Sequence, residues 1–210
     1  MAWKQTLREL WQKEKWYWLA AVVLGVLLSL LFAAHWTEGY ADMIQKGIGG
    51  KVVRFHVLAN SDSQADQELK YAVRDSVGTM MAEKLQTVDS LKESTEVVTE
   101  NLQEIEPCAA QVIAAQGYDY PVHATLEECE FPEKSYGDFT FPSGNYQALG
   151  VVIGAGEGHN WWCVMYPNLC FANSMYEVDS ASGEKLREVL DPEEYAAVLK
   201  SGNYQVRFKM

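Results

Sequence analysis

An uncharged apolar run near the N-terminus places the strongest constraint on what this chain can fold into. The 19 residues from Trp16 to Ala34 carry no charged side chain. As a helix they would be about 28 Å long, close to the hydrocarbon thickness of a bilayer. Trp16 and Trp36 stand at the two ends of the run, where membrane segments carry their interfacial aromatic residues. The sequence therefore predicts that residues 16–34 meet the membrane, either as an anchor or as part of a signal peptide.

The charge distribution predicts which side of the membrane the rest of the chain occupies. Four basic and two acidic residues precede the apolar run, whereas the whole chain has a formal charge of -12. Basic flanks stay in the cytoplasm, so the acidic remainder should be exported. The run is longer than the usual apolar core of a signal peptide, which favours an anchor. Gly39 and Ala41, however, provide a small-residue cleavage pattern, so both alternatives stay open.

The chain divides into three predicted segments. Residues 1–36 form a cytoplasmic basic flank and a signal or anchor helix, residues 37–51 a linker, and residues 52–210 an exported domain. The linker is predicted from its glycines, Gly47, Gly49 and Gly50. The acidic charge of the exported part argues against a nucleic acid as partner, because phosphate binding needs a basic surface.

The first half of the exported part has the pattern of a strand followed by helices. Alternating apolar residues predict a strand over 52–59. Three- and four-residue spacing predicts a helix from Gln64 to Leu85, and another from Leu91 to Ile105. Pro107 is expected to interrupt that helix or to start the next one.

The second half changes to strand-forming sequence and then returns to helix. Four strands are predicted, at 122–131, 136–141, 147–153 and 161–166. Two helices should follow, the second capped by Asp191 and ended near Gly202, before a final strand at 204–208. The predicted fold is α+β, one domain with a largely antiparallel sheet packed against several helices.

The cysteines raise the question of nucleophilic chemistry. Cys163 lies in a strand-like run, where no helix terminus would lower the pKa of its thiol. In a hairpin centred on Tyr166 and Pro167, Cys163 would face Cys170, so we predict a structural Cys163–Cys170 disulfide. A second bridge between Cys108 and Cys129 is left open. The alternative function is an exported hydrolase that acts on cell-wall material through Cys163.

No metal site or cofactor is predicted from the remaining polar residues. The histidines after the apolar run are scattered singly, without the close spacing of metal ligands. A run of glutamates between residues 127 and 133 is interpreted as a solvated face.

A polar cluster follows the first predicted strand and has two interpretations. Asn60 to Ser63, with Asp66, suits the cap of the next helix, because such side chains accept the free N–H groups of a first turn. Alternatively, Arg54, His56, Asn60 and Asp62 could converge at the end of the strand and bind a partner.

Three strings of the chain resemble a known family. RFHVLANSDS at 54–63, FPSGNYQAL at 141–149 and GHNWWCV at 158–164 are similar to the stage II sporulation protein R family, and the likeness covers about residues 52–171. Gly150 departs from the pattern, since the family is expected to have an arginine there.

The resemblance implies a signalling protein of endospore-forming bacteria that is not itself an enzyme. It implies export from the forespore into the space between the forespore and mother-cell membranes. There the protein would trigger a membrane-embedded aspartic protease, which processes pro-sigma-E. We expect the partner-binding residues to be Arg54, His56, Asn60, Asp62, Asp66, His159, Asn160, Trp161 and Trp162.

Overall fold

The computed structural model describes residues 2–169 and 180–199, and the side chains of residues 15–169 and 183–199. Two compact units are present, Met1–Met43 and Ile44–Met210. The predicted strand at 204–208, the helix end near Gly202 and Cys170 lie outside the described residues.

The first unit consists of one helix. Helix α1 runs from Ala2 to Gly49, and its last turns belong to the second unit. The stretch from Lys15 to Gly49 has an 18-residue window of mean hydropathy 2.3, with none of that window buried. By length and composition this helix could cross a membrane, and a signal sequence would share both properties.

The end of α1 differs from the predicted linker. The helix continues through residues 37–49, and Ile44 and Ile48 are buried in the second unit. Gly47 serves close packing there, because a Cβ at this position would collide with the carboxylate of Glu194. Glu194 is buried and bound to Lys51 at 2.7 Å. The boundaries at residues 36 and 51 stay predictions.

A mixed four-stranded sheet forms the centre of the second unit. Its strands are β1 (Val53–Leu58), β2 (Val122–Phe131), β5 (Gly144–Ile153) and β6 (Asn160–Tyr166), in the order β2-β5-β1-β6. The β2–β5 and β1–β6 pairs are antiparallel and the β1–β5 pair is parallel. The prediction of an α+β fold with a largely antiparallel sheet is confirmed.

Two long helices cover one face of this sheet. Helix α2 runs from Gln64 to Lys84 and α3 from Leu91 to Ala115. The spacing of Leu69, Val73 and Val77 places one side of α2 in the core, as predicted. Helix α3 continues through Pro107, so the expected interruption or new start at that residue is wrong. A proline inside a helix costs about 3 kcal/mol, and the burial of Ile105 on the same helix helps to offset that cost.

Smaller elements cover the other face. They are the strands β3 (Lys134–Tyr136) and β4 (Phe139–Phe141), the helices α4 (Ser180–Val189) and α5 (Pro192–Val198), and the last turns of α1. The predicted strand at 136–141 is thus divided, since the chain turns at Gly137 and β3 pairs with β4. Asp191 is the N-cap of α5 as predicted, and its N–H donates to Glu194 at 2.9 Å.

Candidate functional site

Asp66 organises the segment that joins β1 to α2. Its carboxylate accepts hydrogen bonds from Asn60 Nδ2 at 2.9 Å and from Ser61 Oγ at 2.5 Å. Its backbone N–H donates to Ser63 Oγ at 3.1 Å, so Ser63 is the N-cap of α2. The bonds from Ser61 and then Asn60 hold the pKa of Asp66 below its usual value. The capping interpretation is confirmed, and Asp66 is buried rather than displayed.

Asn60 ties this segment to the loop between β5 and β6. Its Oδ1 accepts a hydrogen bond from the N–H of Ala155 at 2.9 Å, and its backbone oxygen accepts one from Glu157 at 3.1 Å. Ala59 binds the same loop through its oxygen, which accepts from Gly158 at 3.0 Å. The polar string after β1 therefore fixes the position of residues 154–159.

Asp62 and His159 form the exposed part of this contact. The N–H of His159 donates to Asp62 Oδ1 at 2.6 Å, and the imidazole Nδ1 binds the same oxygen. Lys70 of α2 donates to the backbone oxygen of His159 at 3.0 Å. His159 lowers the pKa of Asp62. Both side chains stay accessible, with 54% of Asp62 and 78% of His159 exposed.

The two tryptophans lie on opposite faces of β6. Trp161 packs edge-on against Phe55, with a ring separation of 5.6 Å, and beneath the guanidinium of Arg74. Trp162 stacks on His56 at 5.3 Å and packs against Phe131 at 4.6 Å. Both are half-buried. A surface pocket of about 250 Å³ is lined by both tryptophans and by Lys134, Ser135, Tyr136, Gly137 and Asn160.

Arg54 is fully buried on the face that carries β3 and β4. Its Nε donates to the backbone oxygen of Cys163 at 2.9 Å, and an Nη atom donates to the Tyr136 hydroxyl at 3.0 Å. Its guanidinium lies 4.4–5.8 Å from the ring centres of Phe131, Tyr136, Phe141 and Tyr146. Burial lowers the pKa of Arg54. In this arrangement the side chain can position its neighbours but cannot itself reach a partner.

His56 and Asn160 lie side by side on neighbouring strands. His56 Nδ1 is 3.2 Å from Asn160 Oδ1 and 3.1 Å from its Nδ2. Burial lowers the pKa of His56. The structure thus brings His56 to Asn160 and Asp62 to His159, whereas Arg54 lies apart from them, against Tyr136 and Cys163. The partner-binding role of the whole set stays a prediction.

The cysteines differ from one another in their surroundings. Cys163 is buried opposite Phe55 and is disulfide-bonded. Because Cys170 lies outside the described residues, the pairing stays a prediction. Cys108 and Cys129 are free, so the second bridge left open by the sequence is wrong. Among the described side chains, no three His, Cys, Asp or Glu residues are grouped to hold a metal ion.

Sequence reasoning missed three residues of this region. Lys70 and Gln67 bind each other at 2.5 Å, and Gln67 also donates to the Ser61 oxygen at 2.9 Å. Their spacing on α2, one turn from the cap, was the available signal. Cys129 lies beside His56, and no short-range pattern links residues 73 positions apart.

Comparison with known proteins gives a consistent result. A family model described as stage II sporulation protein R matches residues 49–176. The stage II sporulation protein R of Bacillus subtilis is 34% identical over 146 residues, which cover 70% of this chain and 62% of that protein. The chain thus matches less than two thirds of that relative's length. No solved structure matches it.

Proposed function

Because the chain belongs to the stage II sporulation protein R family, we propose that it is an extracytoplasmic signalling protein of endospore formation. Its partner in this proposal is a membrane-embedded aspartic protease of the mother cell, which then processes pro-sigma-E. The chain is the signal, and the protease performs the chemistry.

The N-terminal helix supports the proposed location. Its long apolar stretch is compatible with both a signal peptide and an anchor. The basic residues before it favour a cytoplasmic N-terminus. The proposal therefore places the second unit in the space between the forespore and mother-cell membranes, secreted or held by a single helix.

The exposed contact between Asp62 and His159 carries the proposal for the binding surface. It joins the start of α2 to the loop before β6, and Trp161 follows two residues later. We define the recognition edge as residues 60–62 and 154–162. Its backbone is fixed by internal hydrogen bonds, so little conformational entropy would be lost when a partner binds. Arg54 and Asp66 are buried and act as positioning residues in this proposal.

The alternative hydrolase finds little support at its proposed nucleophile. Cys163 is 2% exposed and disulfide-bonded. A nucleophilic cysteine needs an unbonded sulfur that its substrate can reach.

Variants of the recognition edge test this assignment in sporulating cells. Asp62→Lys and Trp161→Ala should stop pro-sigma-E processing while the protein is still made and exported. Glu100→Lys is the matched charge reversal, because Glu100 is an exposed residue of α3 and is not part of the recognition edge. Cells with this variant should process pro-sigma-E normally. If pro-sigma-E is processed normally in cells with each of the two edge variants, the recognition edge is not the binding surface.

A further inference from the structure

Three polar side chains from three strands form a line across one face of the sheet. Cys129 on β2 lies with its Sγ 3.9 Å from Nε2 of His56 on β1. On the other side of that ring, Nδ1 faces the side-chain amide of Asn160 on β6, at 3.2 Å from its Oδ1 and 3.1 Å from its Nδ2. A basic Nε2 requires the tautomer in which Nδ1–H donates to Oδ1. A thiol, an imidazole and an amide in this order form the arrangement by which a base assists a cysteine and an amide orients the base.

Gly150 makes the contact across the sheet possible. It is the β5 residue paired with His56, and β5 lies between β1 and β2. A Cβ at Gly150 would be 2.7 Å from Nε2 of His56, closer than real Cβ contacts allow. With a hydrogen atom there instead, the imidazole can lie over β5 and reach Cys129. The departure from the family pattern noted at Gly150 thus has a structural consequence in this chain.

The residues around His56 and Cys129 hold the imidazole ring in place and set the protonation states of both side chains. Trp162 stacks on His56 and Phe131 packs edge-on against it. Burial lowers the pKa of His56 and raises the pKa of Cys129. The charged or titratable groups that act on the pair are Glu127 of β2, which raises both pKa values, and Arg54 of β1, which lowers that of Cys129. The resting pair is therefore a neutral thiol beside a neutral base.

We propose that Cys129 is a base-assisted thiol that forms mixed disulfides with small-molecule disulfides. His56 Nε2 takes the thiol proton while its Nδ1–H donates to Asn160 Oδ1. The Cys129 sulfur attacks one sulfur of the disulfide, a new S–S bond forms, and the old S–S bond breaks. The leaving thiolate takes the proton from His56, so the small disulfide is reduced as Cys129 is oxidised. Cys129 is half-buried rather than enclosed in the core.

The chain provides its own control thiol. Cys108 is also free and half-buried, and its described contact is with Ser76 Oγ at 3.2 Å rather than with an imidazole. The full chain in detergent is treated with oxidised glutathione, and each cysteine is followed by peptide mass spectrometry. Cys129 should form the mixed disulfide at least about tenfold faster than Cys108 near pH 7.

The variants separate base assistance from simple exposure. His56→Ala and Gly150→Ala should each reduce the Cys129 rate about tenfold and leave Cys108 unchanged. The rate of mixed-disulfide formation at Cys129 in the wild-type chain should also persist well below pH 8. For an unassisted thiol this rate falls about tenfold for each pH unit below its pKa of roughly 8.5. A Cys129 rate no higher than that of Cys108 overturns the proposal whether or not the variants fold. So does an unchanged Cys129 rate in a folded His56→Ala protein.

Discussion

Asp62 accepts a hydrogen bond from the backbone N–H of His159 at 2.6 Å, and the contact joins residues 97 positions apart in sequence. Asn60 supports this contact, because its side chain accepts a hydrogen bond from Ala155 of the loop and donates one to the carboxylate of Asp66. The string after β1 therefore has two physical roles, as the cap of α2 and as the support of the loop before β6. An edge held in this way can be recognised without first being ordered.

The buried carboxylate of Asp66 should make stability depend on pH. Its pKa is lowered by Ser61 and Asn60, so its contribution is fully present above the ordinary value of about 3.9. That contribution is lost as the pH falls through the lower value of the folded state. Asp66→Ala should reduce the free energy of unfolding by about 2 kcal/mol at pH 6, with a smaller difference at pH 3. Urea unfolding followed by tryptophan fluorescence measures both, with Glu100→Ala as the exposed control. An equal difference at the two pH values would contradict the assignment.

A side chain at Gly47 should destabilise the protein, because the space beside this residue is filled. Alanine there would meet the Glu194 carboxylate, which is bound to Lys51 and to the N–H of Asp191. Gly47→Ala should therefore lower the free energy of unfolding by about 1–3 kcal/mol. Gly39 is the matched helical control, because a Cβ at that position meets nothing within 4 Å. Thermal unfolding followed by circular dichroism compares the two variants. Equal midpoints would show that the turn at Gly47 is not closely packed.

The order of the helices and strands could be predicted from the sequence, because it depends on local periodicity. The buried side of α2 and all of β2 are examples. The helical end of α1 could not be predicted, because three glycines at residues 47, 49 and 50 suggest a linker instead. Their role becomes visible only when Glu194, far along the chain, is placed beside Gly47. Likewise, Gly137 divides a stretch whose composition resembles one continuous strand.

Only the part of the candidate site that depends on neighbouring residues in the sequence can be predicted. Asn60 and Asp62 follow a strand directly, so their position at its end was foreseeable. The burial of Arg54 was not, since an arginine in an alternating strand normally faces water. The four aromatic rings around it come from β2, β3, β4 and β5, and no local pattern brings these residues together.

Arg54 should act on stability rather than on recognition. Arg54→Ala removes a buried side chain and its bonds to Cys163 and Tyr136, and should reduce the free energy of unfolding by about 3 kcal/mol or more. Tyr136→Phe removes only the hydroxyl bond and should cost about 1 kcal/mol. Urea unfolding of both variants gives the comparison. If Arg54→Ala leaves the free energy of unfolding unchanged, Arg54 is not a structural residue, and a direct contact with the partner becomes the better explanation of its role.

The predicted Cys163–Cys170 disulfide has a test that does not depend on function. Cys163→Ala and Cys170→Ala should each lower the free energy of unfolding by about 2–4 kcal/mol. The double variant should lose little more than either single one, because both remove the same bond. Cys108→Ala is the free-thiol control and should change stability much less. Unequal losses in the two single variants, or additive losses in the double, would argue against the pairing.

The most direct test of the account is reconstitution of the full chain with the aspartic protease and pro-sigma-E in lipid vesicles. The measured quantity is the rate at which the pro-sequence is removed. We expect cleavage to require the chain, to be lost with Asp62→Lys, and to be unchanged with Glu100→Lys. Cleavage that proceeds equally without the chain, or that is never stimulated by the wild-type chain, would contradict the proposal that this protein is the activating signal.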